Sequence, residues 1–387
     1  MCYEKVRSER ERPAHVEPVV DSRRHAVMDD YEKLREILDK HLAGAPPSER
    51  IDQILRILFT PEEVRVAVGM VFTPIPVEEI AARSGVSVEE VKARCESMAD
   101  KGIVFSRKKN GIMGYSLLPT IPGLFEFPFM KGGGEPMHRT LARLWEEYHR
   151  EALGNSFASS PTPITRVMPV ESAIDNRVEV LPFEVISKML DRNETFALAE
   201  CACRVSLGAC KGPKDVCLIF DATGRFLIER GFAKEITRQE ALDVVRRSEE
   251  AGLVHTTNNS QDRLSLICNC CPCCCTILRG LTQLNNPHAF AVSRWCSEVD
   301  ADLCNACGIC EDERCPVQAI KVTGSVAEVD TERCIGCGLC ITGCDAEAIH
   351  LVRRQHPPEP PRTMVEMGLK IATEKGIAED FVKLMRR

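Results

Sequence analysis

The chain is rich in cysteine, and the cysteines are concentrated in one stretch. It has 387 residues and 21 cysteines, of which nineteen lie between Cys201 and Cys344, whereas Cys2 and Cys95 lie outside that stretch. Most of them occur in tight CxxC or CxC groups, which is the spacing of thiolates that hold metals. A disulfide-stapled secreted domain would be short and would follow an apolar leader, but this chain opens on a charged segment. We therefore expect metal thiolates in a reducing cytoplasm.

Eight of the cysteines belong to an internal repeat with a period of 30 residues. The copy that starts at Val299 and the copy that starts at Val329 both continue as CxxCGxC, with a fourth cysteine and an Ala-Ile pair behind it. The thiols are those of Cys304, Cys307, Cys310 and Cys315 in the first copy and of Cys334, Cys337, Cys340 and Cys344 in the second. Two zinc ribbons are the alternative, but ribbons use CxxC pairs separated by a knuckle loop. The CxxCxxC run favours iron–sulfur clusters.

The repeat resembles the bacterial two-cluster ferredoxins. In that family the first three cysteines of a repeat wrap three corners of an iron–sulfur cube, and the fourth ligand comes from the other repeat. The resemblance implies one [4Fe-4S] cluster on Cys304, Cys307, Cys310 and Cys344, and a second on Cys334, Cys337, Cys340 and Cys315. It also implies that Gly308 and Gly338 let the loop N–H groups point at the cluster sulfides. The apolar residues expected to seal a common core are Ile309, Val317, Ile320, Ile335, Leu339, Ile341 and Ile349.

Two features of the repeat depart from the family pattern, and its charge is strongly acidic. Four residues rather than three separate Cys310 from Cys315, and Asp345 stands where a proline would follow the last cysteine. Between positions 296 and 352 there are eleven acidic and three basic side chains. Negative surroundings oppose the addition of an electron, so we expect low-potential clusters and an acidic face that suits a basic redox partner. We interpret Cys296 as a buried spectator thiol.

Ten further cysteines precede the repeat. They are Cys201, Cys203, Cys210, Cys217, Cys268, Cys270, Cys271, Cys273, Cys274 and Cys275. Because residues two apart on a strand face the same way, we predict that Cys201 and Cys203 reach one metal from a strand. The spacing leaves open one or two additional iron–sulfur clusters, zinc or another thiolate-bound metal, and redox-active thiol pairs. Ten thiols exceed the needs of one tetrahedral site, which leaves room for a cluster of unusual shape or an open coordination position.

The pattern of caps, turns and apolar periodicity predicts an α+β multidomain chain. The predicted parts are a charged tail and leading helix (1–47), a winged-helix-like domain (48–120), a connector (121–195), a cysteine-rich α/β middle domain (196–290), a ferredoxin-like two-[4Fe-4S] domain (291–354), and a linker with one C-terminal helix (355–387). Capping boxes at 60–63 and 87–90, a helix from 76 to 83 and an Asn110-Gly111 hairpin turn indicate the winged helix.

A winged helix has two interpretations, DNA binding and protein docking. The would-be recognition helix carries Lys92 and Arg94 against four acidic side chains, so DNA phosphates would meet net negative charge. The whole chain also has a formal charge of −7, which argues against a general nucleic-acid binder. We therefore favour docking or scaffolding and consider DNA an unlikely partner.

The remaining composition and the missing catalytic and nucleotide-binding motifs favour electron transfer as the function. With 44% hydrophobic and 28% charged residues the chain reads as globular, and no apolar run reaches the length of a membrane span. It has no P-loop, no GxGxxG motif behind a strand and no catalytic-triad spacing, so nucleotide or flavin chemistry would belong to a partner. We predict a cytoplasmic, non-catalytic iron–sulfur protein that feeds a partner oxidoreductase or flavoprotein. The alternatives are a reductase with a catalytic cluster in the middle domain and a redox-sensing DNA-binding regulator.

Overall fold

The computed structural model describes residues 28–132, 136–175 and 179–385. In these ranges the chain is a mixed α+β protein with four separate β-sheets. Cys2 and most of the predicted charged tail lie outside the described residues. Among the residues that are described, no helix has both the length and the apolar character needed to cross a membrane.

Five helices and a small sheet form the N-terminal region. The helices are α1 (Asp30–Asp39), α2 (Glu49–Leu58), α3 (Pro61–Ala67), α4 (Val77–Ser84) and α5 (Val88–Asp100). The strands are β1 (Ile75–Pro76), β2 (Val104–Lys109) and β3 (Ile112–Leu117), in the order β1-β3-β2. Helix α2 is additional to the three predicted helices; the Ser48 side chain caps it, and its buried leucines and isoleucines face the core.

The helix caps and the hairpin turn predicted in this region are present in the structure. The Thr60 hydroxyl accepts the Glu63 N–H and the Glu63 carboxylate accepts the Thr60 N–H, so the predicted capping box that starts α3 is present. Ser87 caps α5 by accepting the Glu90 N–H. Asn110 and Gly111 have φ angles of 52° and 82°, the left-handed geometry that a two-residue hairpin turn requires. The hairpin of β2 and β3 is therefore confirmed, while the winged-helix assignment stays a prediction.

A six-stranded antiparallel sheet forms the centre of the molecule. Its strands are β4 (Thr165–Met168), β5 (Phe196–Glu200), β6 (Asp215–Phe220), β7 (Lys234–Ile236), β8 (Val254–Asn258) and β9 (Leu266–Cys270), in the order β4-β8-β9-β6-β5-β7. The accompanying helices are α6 (Pro136–Tyr148), α7 (Gly154–Phe157), α8 (Ile186–Leu190), α9 (Ala202–Leu207), α10 (Asp221–Glu229), α11 (Arg238–Glu250) and α12 (Thr276–Thr282). The sequence Thr-Arg-Gln-Glu at 237–240 has the pattern of a capping box, which opens α11, and Gly252, at φ 70°, follows the end of that helix.

The prediction that Cys201 and Cys203 lie on a strand is wrong. Strand β5 ends at Glu200, Cys201 is the N-cap of α9, and Cys203 lies in the first turn of that helix. The alternating apolar run before Cys201 does form the strand, but the chain turns into a helix at the first thiol. The two side chains therefore reach their surroundings from a strand-to-helix junction and not from one face of a sheet.

The N-terminal region packs against the central sheet through helix α5. Arg230, just beyond α10, forms ion pairs with Glu96 at 2.8 Å and with Asp100 at 2.7 Å. The Phe105 and Phe226 rings pack nearby in a tilted arrangement with centroids 5.1 Å apart. Part of the polar face that a recognition helix would offer to DNA is thus occupied by the protein itself.

The C-terminal module repeats its backbone as it repeats its sequence. Strand β10 (Trp295–Val299) pairs with β13 (Ile349–Arg353), and β11 (Ile320–Thr323) pairs with β12 (Val326–Val329). The Asp300 N–H donates to the Ala348 carbonyl at 2.7 Å, and the Asp330 N–H donates to the Ala319 carbonyl at 2.8 Å. These matching hydrogen bonds join the start of each repeat to the end of the other.

The apolar residues expected to seal the C-terminal module divide into two groups. Val317, Ile335 and Leu339 are buried in a core that extends toward the central sheet, whereas Ile320 and Ile349 belong to a second, smaller core. Ile309 and Ile341 are only partly buried. The predicted residues thus form two clusters instead of one, but each cluster contains residues of both repeats, and Ile341 packs against both.

The predicted single C-terminal helix is two helices. They are α13 (Met364–Glu374) and α14 (Ala378–Met385), separated by Gly376 at φ 71°. A left-handed residue ends α13, so the amphipathic pattern continues in a new direction. Phe381 of α14 lies 5.9 Å from the ring of His41, which also contacts Phe72 at 4.5 Å. The C-terminus is thereby packed onto the N-terminal region.

His41 gives this packing a pH dependence. Burial, with a smaller contribution from the Lys375 ammonium, lowers the pKa of His41 to about 3. Between pH 6.5 and 3 the unfolded chain binds a proton that the folded chain excludes, so acidification lowers stability. His41 should contribute a loss of about 1 kcal/mol in the free energy of unfolding between pH 7.5 and 5.5, measured by anaerobic urea unfolding. His41→Phe should remove this part, whereas the buried His149, whose pKa burial lowers to about 4, keeps a similar part. The exposed His288 is the control: His288→Gln should leave the slope unchanged, and an unchanged slope in His41→Phe would contradict the assignment.

Candidate metal centres

The first cysteine loop, residues 304–310, forms one wall of a pocket closed by the other repeat. Cys304, Cys307 and Cys310 line this pocket together with Cys344 from the far end of the second repeat. The structure thus brings together the four thiols that the resemblance groups as one ligand set. Four thiols around one space fit the donor set of an iron–sulfur cube.

The second cysteine loop, residues 334–340, has the reciprocal arrangement. Cys315 of the first repeat interacts electrostatically with both Cys337 and Cys340, and Cys340 also interacts with Cys310. Burial raises the pKa of Cys340 to about 12 and that of Cys337 further still. A bound cation is what makes deprotonation of such buried thiols favourable. The two groups of four thiols lie side by side.

Left-handed residues shape both loops at equivalent positions. Gly308 and Gly338 have φ angles of 82° and 80°, as expected for loops whose N–H groups turn inward. Two residues earlier, the first loop has Ala306 at φ 55° and the second has Gly336 at φ 66°. A Cβ on Gly336 would lie 2.1 Å from the Trp295 carbonyl oxygen, so only glycine fits there.

Hydrogen-bond donors reach several of the sulfurs. The Ala319 N–H donates to Cys315 Sγ at 3.0 Å, and the Ala327 N–H donates to Cys304 Sγ at 3.4 Å. The Ser297 hydroxyl lies 3.2 Å from Cys340 Sγ. Such contacts stabilise thiolate charge and thereby raise the reduction potential of a cluster. They act against the acidic surroundings noted in the sequence.

The extra residue between Cys310 and Cys315 is absorbed by one π-helical turn, Cys310–Arg314. At the end of that turn the Arg314 side chain donates to the carbonyl oxygens of Leu339, at 2.9 Å, and Glu249, at 3.2 Å. Arg314 therefore joins the first repeat to the second loop and to α11. The longer spacing has a structural role in fixing the module to the central sheet.

The two groups of four thiols differ in exposure. Cys307 is exposed, and Cys304 and Cys344 are partly buried, whereas Cys334, Cys337 and Cys340 are all buried. The second loop faces the central sheet, since the Val170 N–H behind β4 donates to the Cys337 carbonyl at 2.9 Å. One candidate centre is thus close to solvent and the other lies in the interior.

Cys296, a buried residue of strand β10, lies beside Cys334 of the second cysteine loop. The contact between the two thiols lowers the pKa of Cys334 and raises that of Cys296. Cys334 is therefore the better thiolate of the pair, and Cys296 is positioned as the hydrogen-bond donor. This arrangement agrees with the interpretation of Cys296 as a spectator.

The ten cysteines of the middle region separate into two groups. Four of them form the four-thiol group: Cys210, Cys271, Cys273 and Cys274. Their sulfurs all lie within 4.8 Å of one another, and Cys210 Sγ is 3.9 Å from Cys271 Sγ and 3.8 Å from Cys274 Sγ. The loop after α9 supplies one thiol, and the turn between β9 and α12 supplies three.

The other six cysteines form the six-thiol group. Neighbouring thiols contact one another in the order Cys217, Cys268, Cys270, Cys275, Cys203 and Cys201. An electrostatic interaction between the two cysteines at positions 201 and 268 closes a ring of five thiols, to which Cys217 is attached through Cys268. The contact with Cys203, followed by burial, raises the pKa of Cys201 well above its usual range. All six line one cavity of about 70 Å³.

The six-thiol cavity has walls that sequence reasoning missed. Ile121, Pro122 and Glu126, from the segment predicted as a connector, cover it, and Thr256 and Thr276 also line it. Burial raises the pKa of Glu126 to about 7. The only sequence signal was a lone carboxylate in the otherwise apolar run IPGLFEFPFM. Burying a carboxyl in such an apolar run is costly, so its presence there indicates a structural or chemical role.

The six-thiol cavity and the second loop share one apolar core. Cys270 and Cys275 pack in the same buried cluster as Cys334 and Cys337, with Trp295 among them. The buried Glu184 also binds Arg353 of β13 at 2.6 Å, which ties the module to the central region. The interior thiol groups are therefore parts of one continuous core.

Comparison with known proteins identifies part of the second repeat. The family Fer4, described as a 4Fe-4S binding domain, matches residues 327–350. Neither the curated proteins nor the solved structures contain a match to this chain. The matched range contains Cys334, Cys337, Cys340 and Cys344. The chain therefore contains a ferredoxin-type iron–sulfur domain and holds at least one [4Fe-4S] cluster.

The tight packing of Gly336 gives a direct test of the second loop. Gly336→Ala should clash with the Trp295 carbonyl and lower the iron bound by anaerobically purified protein by about four atoms per chain, because the loop cannot close around a cube. Ala306→Gly is the matched control, since it relaxes the equivalent backbone position of the first loop. Iron and labile-sulfide analysis measures both variants. Full iron in Gly336→Ala would contradict this view of the loop.

Proposed function

We propose that this protein transfers single electrons through two [4Fe-4S] clusters in its C-terminal module. One is held by Cys304, Cys307, Cys310 and Cys344, and the other by Cys334, Cys337, Cys340 and Cys315. The observation that carries the proposal is the crossed grouping, in which each cysteine loop meets a thiol from the opposite repeat. The match to a 4Fe-4S binding domain supports the same chemistry for the second repeat.

The clusters supply one-electron exchange between ferric and ferrous iron, and the chain supplies insulation and docking. The buried thiols of the second loop exclude water from the interior site. The exposed Cys307 brings the other site close to solvent, where a partner can approach it. Electrons would enter or leave at the first loop and pass through the second.

The surface around the first loop supports a basic redox partner. Asp302, Asp312 and Glu313 are exposed near the Cys307 loop in the chain, Asp345 is exposed next to Cys344, and Leu303 exposes 52% of its surface. An apolar residue within an acidic rim is suited to a transient interface with a complementary positive surface. We propose an oxidoreductase or a flavoprotein as this partner, in the cytoplasm.

The six-thiol group is the proposed site of an additional iron–sulfur cluster. Its six thiols exceed the four that a cube uses, and they lie in the same apolar core as the second loop. An electron on the interior ferredoxin cluster would therefore have a neighbouring acceptor without crossing water. The proposed route therefore has three centres, from the surface to the central sheet.

Winged-helix and ferredoxin-like folds are part of the same proposal. Three helices and a hairpin in the N-terminal region support the former, and the paired strands of the repeat support the latter. The ion pairs of Arg230 with Glu96 and Asp100 favour a docking role for helix α5 over DNA binding.

Ligand substitution tests the proposed function. Full-length protein made without oxygen should contain at least about eight irons and as many labile sulfides, and Cys304→Ser and Cys334→Ser should each remove about four. Cys296→Ser is the control, because that thiol is a neighbour of a ligand and not a ligand in the proposal. Dithionite should bleach the visible absorption of the wild-type protein. Equal iron in all variants, or zinc in place of iron, would refute the proposal.

A reductase is the second candidate, and the cavity favours it. The Glu126 carboxyl stands in the wall of the six-thiol cavity, and burial raises its pKa to about 7. A cluster that fills this cavity would lie beside a carboxyl able to supply a proton, which is what reduction of a small molecule at the cluster requires.

Turnover with small acceptors tests the reductase. If the second candidate is correct, reduced methyl viologen should be oxidised by nitrite or hydroxylamine in the presence of the protein, and Glu126→Gln should slow this by about a hundredfold. Glu184→Gln, at a buried carboxylate outside the cavity, controls for general loss of packing. No turnover with either acceptor in iron-replete protein would count against the reductase and leave the electron carrier.

A further inference from the structure

We propose that the four-thiol group, Cys210, Cys271, Cys273 and Cys274, binds a single zinc ion that is separate from the iron–sulfur centres. This inference goes beyond electron transfer, since zinc has no redox chemistry in proteins. It assigns a structural metal to a part of the chain that the two clusters do not use.

The first argument is the distance between the sulfurs. Zn–S bonds of about 2.3 Å at the tetrahedral angle place neighbouring sulfurs about 3.8 Å apart. The two measured separations from Cys210 Sγ are 3.8 Å and 3.9 Å, and none of the six separations in the group exceeds 4.8 Å. One ion at the centre of these four sulfurs has the ligand number and spacing of a closed tetrahedral site.

The second argument is that a cube does not fit between these sulfurs. In a [4Fe-4S] cluster each thiolate binds a different iron, so four irons and four sulfides lie between the ligands. Ligands of a cube must therefore stand further apart than ligands that share one ion. In the described part of the chain, no other trio of thiols is as close as the four-thiol group. The six-thiol group is wider as a whole, although its neighbouring thiols contact one another in pairs.

The third argument is charge. Four thiolates around a divalent ion leave a net charge of about −2, which needs a neighbouring cation when it is partly buried. Arg204 of α9 is 1% exposed, and its guanidinium hydrogen-bonds to the Cys271 thiol and donates to the Asn269 carbonyl at 3.0 Å. Arg204 also lines the six-thiol cavity and interacts with Cys201, so this buried cation lies between the two thiol groups and its hydrogen bond to Cys271 compensates part of the charge of the four-thiol site.

The position of the four-thiol group indicates what the ion does. It joins the loop after α9 to the turn between β9 and α12, which are about sixty residues apart in sequence. Cys270 and Cys275 of the six-thiol group directly flank the three thiols of that turn. A metal that fixes residues 271–274 therefore also positions two ligands of the neighbouring cavity.

Metal analysis and zinc X-ray absorption of the full-length protein test this inference. Protein made anaerobically should contain about one zinc per chain in addition to its iron, and the absorption fine structure should show four sulfurs at about 2.3 Å with no neighbouring metal. This measurement on the wild-type protein does not depend on the folding of a variant. Absence of zinc, oxygen or nitrogen ligands, or a single iron in its place would overturn the proposal.

Variants assign the zinc to its residues. Cys210→Ser and Cys273→Ser should each lose the zinc while keeping the iron of the C-terminal module, and Cys95→Ala, at a buried thiol of helix α5, should keep both metals. A cobalt-loaded sample should show thiolate charge-transfer bands that these two serine variants lack. Loss of about four irons with no change in zinc would instead show that the four-thiol group holds a cube, and the inference would be wrong.

Discussion

Buried thiolates need a nearby cation to neutralise them, and this constraint governs the cysteine-rich stretch from Cys201 to Cys344. Most of the described cysteines are wholly or partly buried, and burial or neighbouring thiols raise the pKa of many of them. Without metal these thiols would remain protonated and would pack as small apolar side chains. With metal they become cross-links between loops that are far apart in sequence. The folded state and the metal content are therefore linked properties of this chain.

The described structure places its thiol groups in an order from surface to interior. The first cysteine loop is near solvent, the second lies in the core, and the six-thiol cavity shares that core. Hydrogen bonds to carbonyl oxygens from Arg314 and Val170 hold the C-terminal module against the central sheet. Because these contacts are specific, the separations between the groups are set by packing and not by a flexible linker. Electron transfer benefits from such fixed separations.

Local sequence signals predicted local structure well. The Thr60 and Thr237 caps, the Asn110-Gly111 turn and the 30-residue repeat each depend on a few adjacent residues, and each is present in the structure. The break at Gly376 depends on one left-handed residue and was also visible in the sequence, but an amphipathic pattern continued across it. One continuous helix was predicted there because the apolar periodicity was given more weight than the glycine.

Other features depend on contacts between distant segments and could not be read from spacing. The apolar alternation before Cys201 predicts that the strand continues through positions 201 and 203. The chain instead enters a helix there, and the two thiols meet partners on β9 and at the start of α12. The division of ten thiols into groups of four and six depends on which face of β9 and which side of its turn each cysteine occupies. Glu126 lies more than seventy residues before the first cysteine of the cavity in the sequence, and no motif around Glu126 indicates that it lines this cavity.

The most direct test of the central claim is electron paramagnetic resonance of the anaerobic protein after full reduction by dithionite. Two adjacent cubes, each carrying one unpaired electron, should give a broadened spectrum split by their magnetic interaction. Reduction of only one cube, at an intermediate potential, should give a simple spectrum without that splitting. A fully reduced sample with no such signal, or with only isolated and non-interacting centres, would contradict the crossed arrangement of the two repeats.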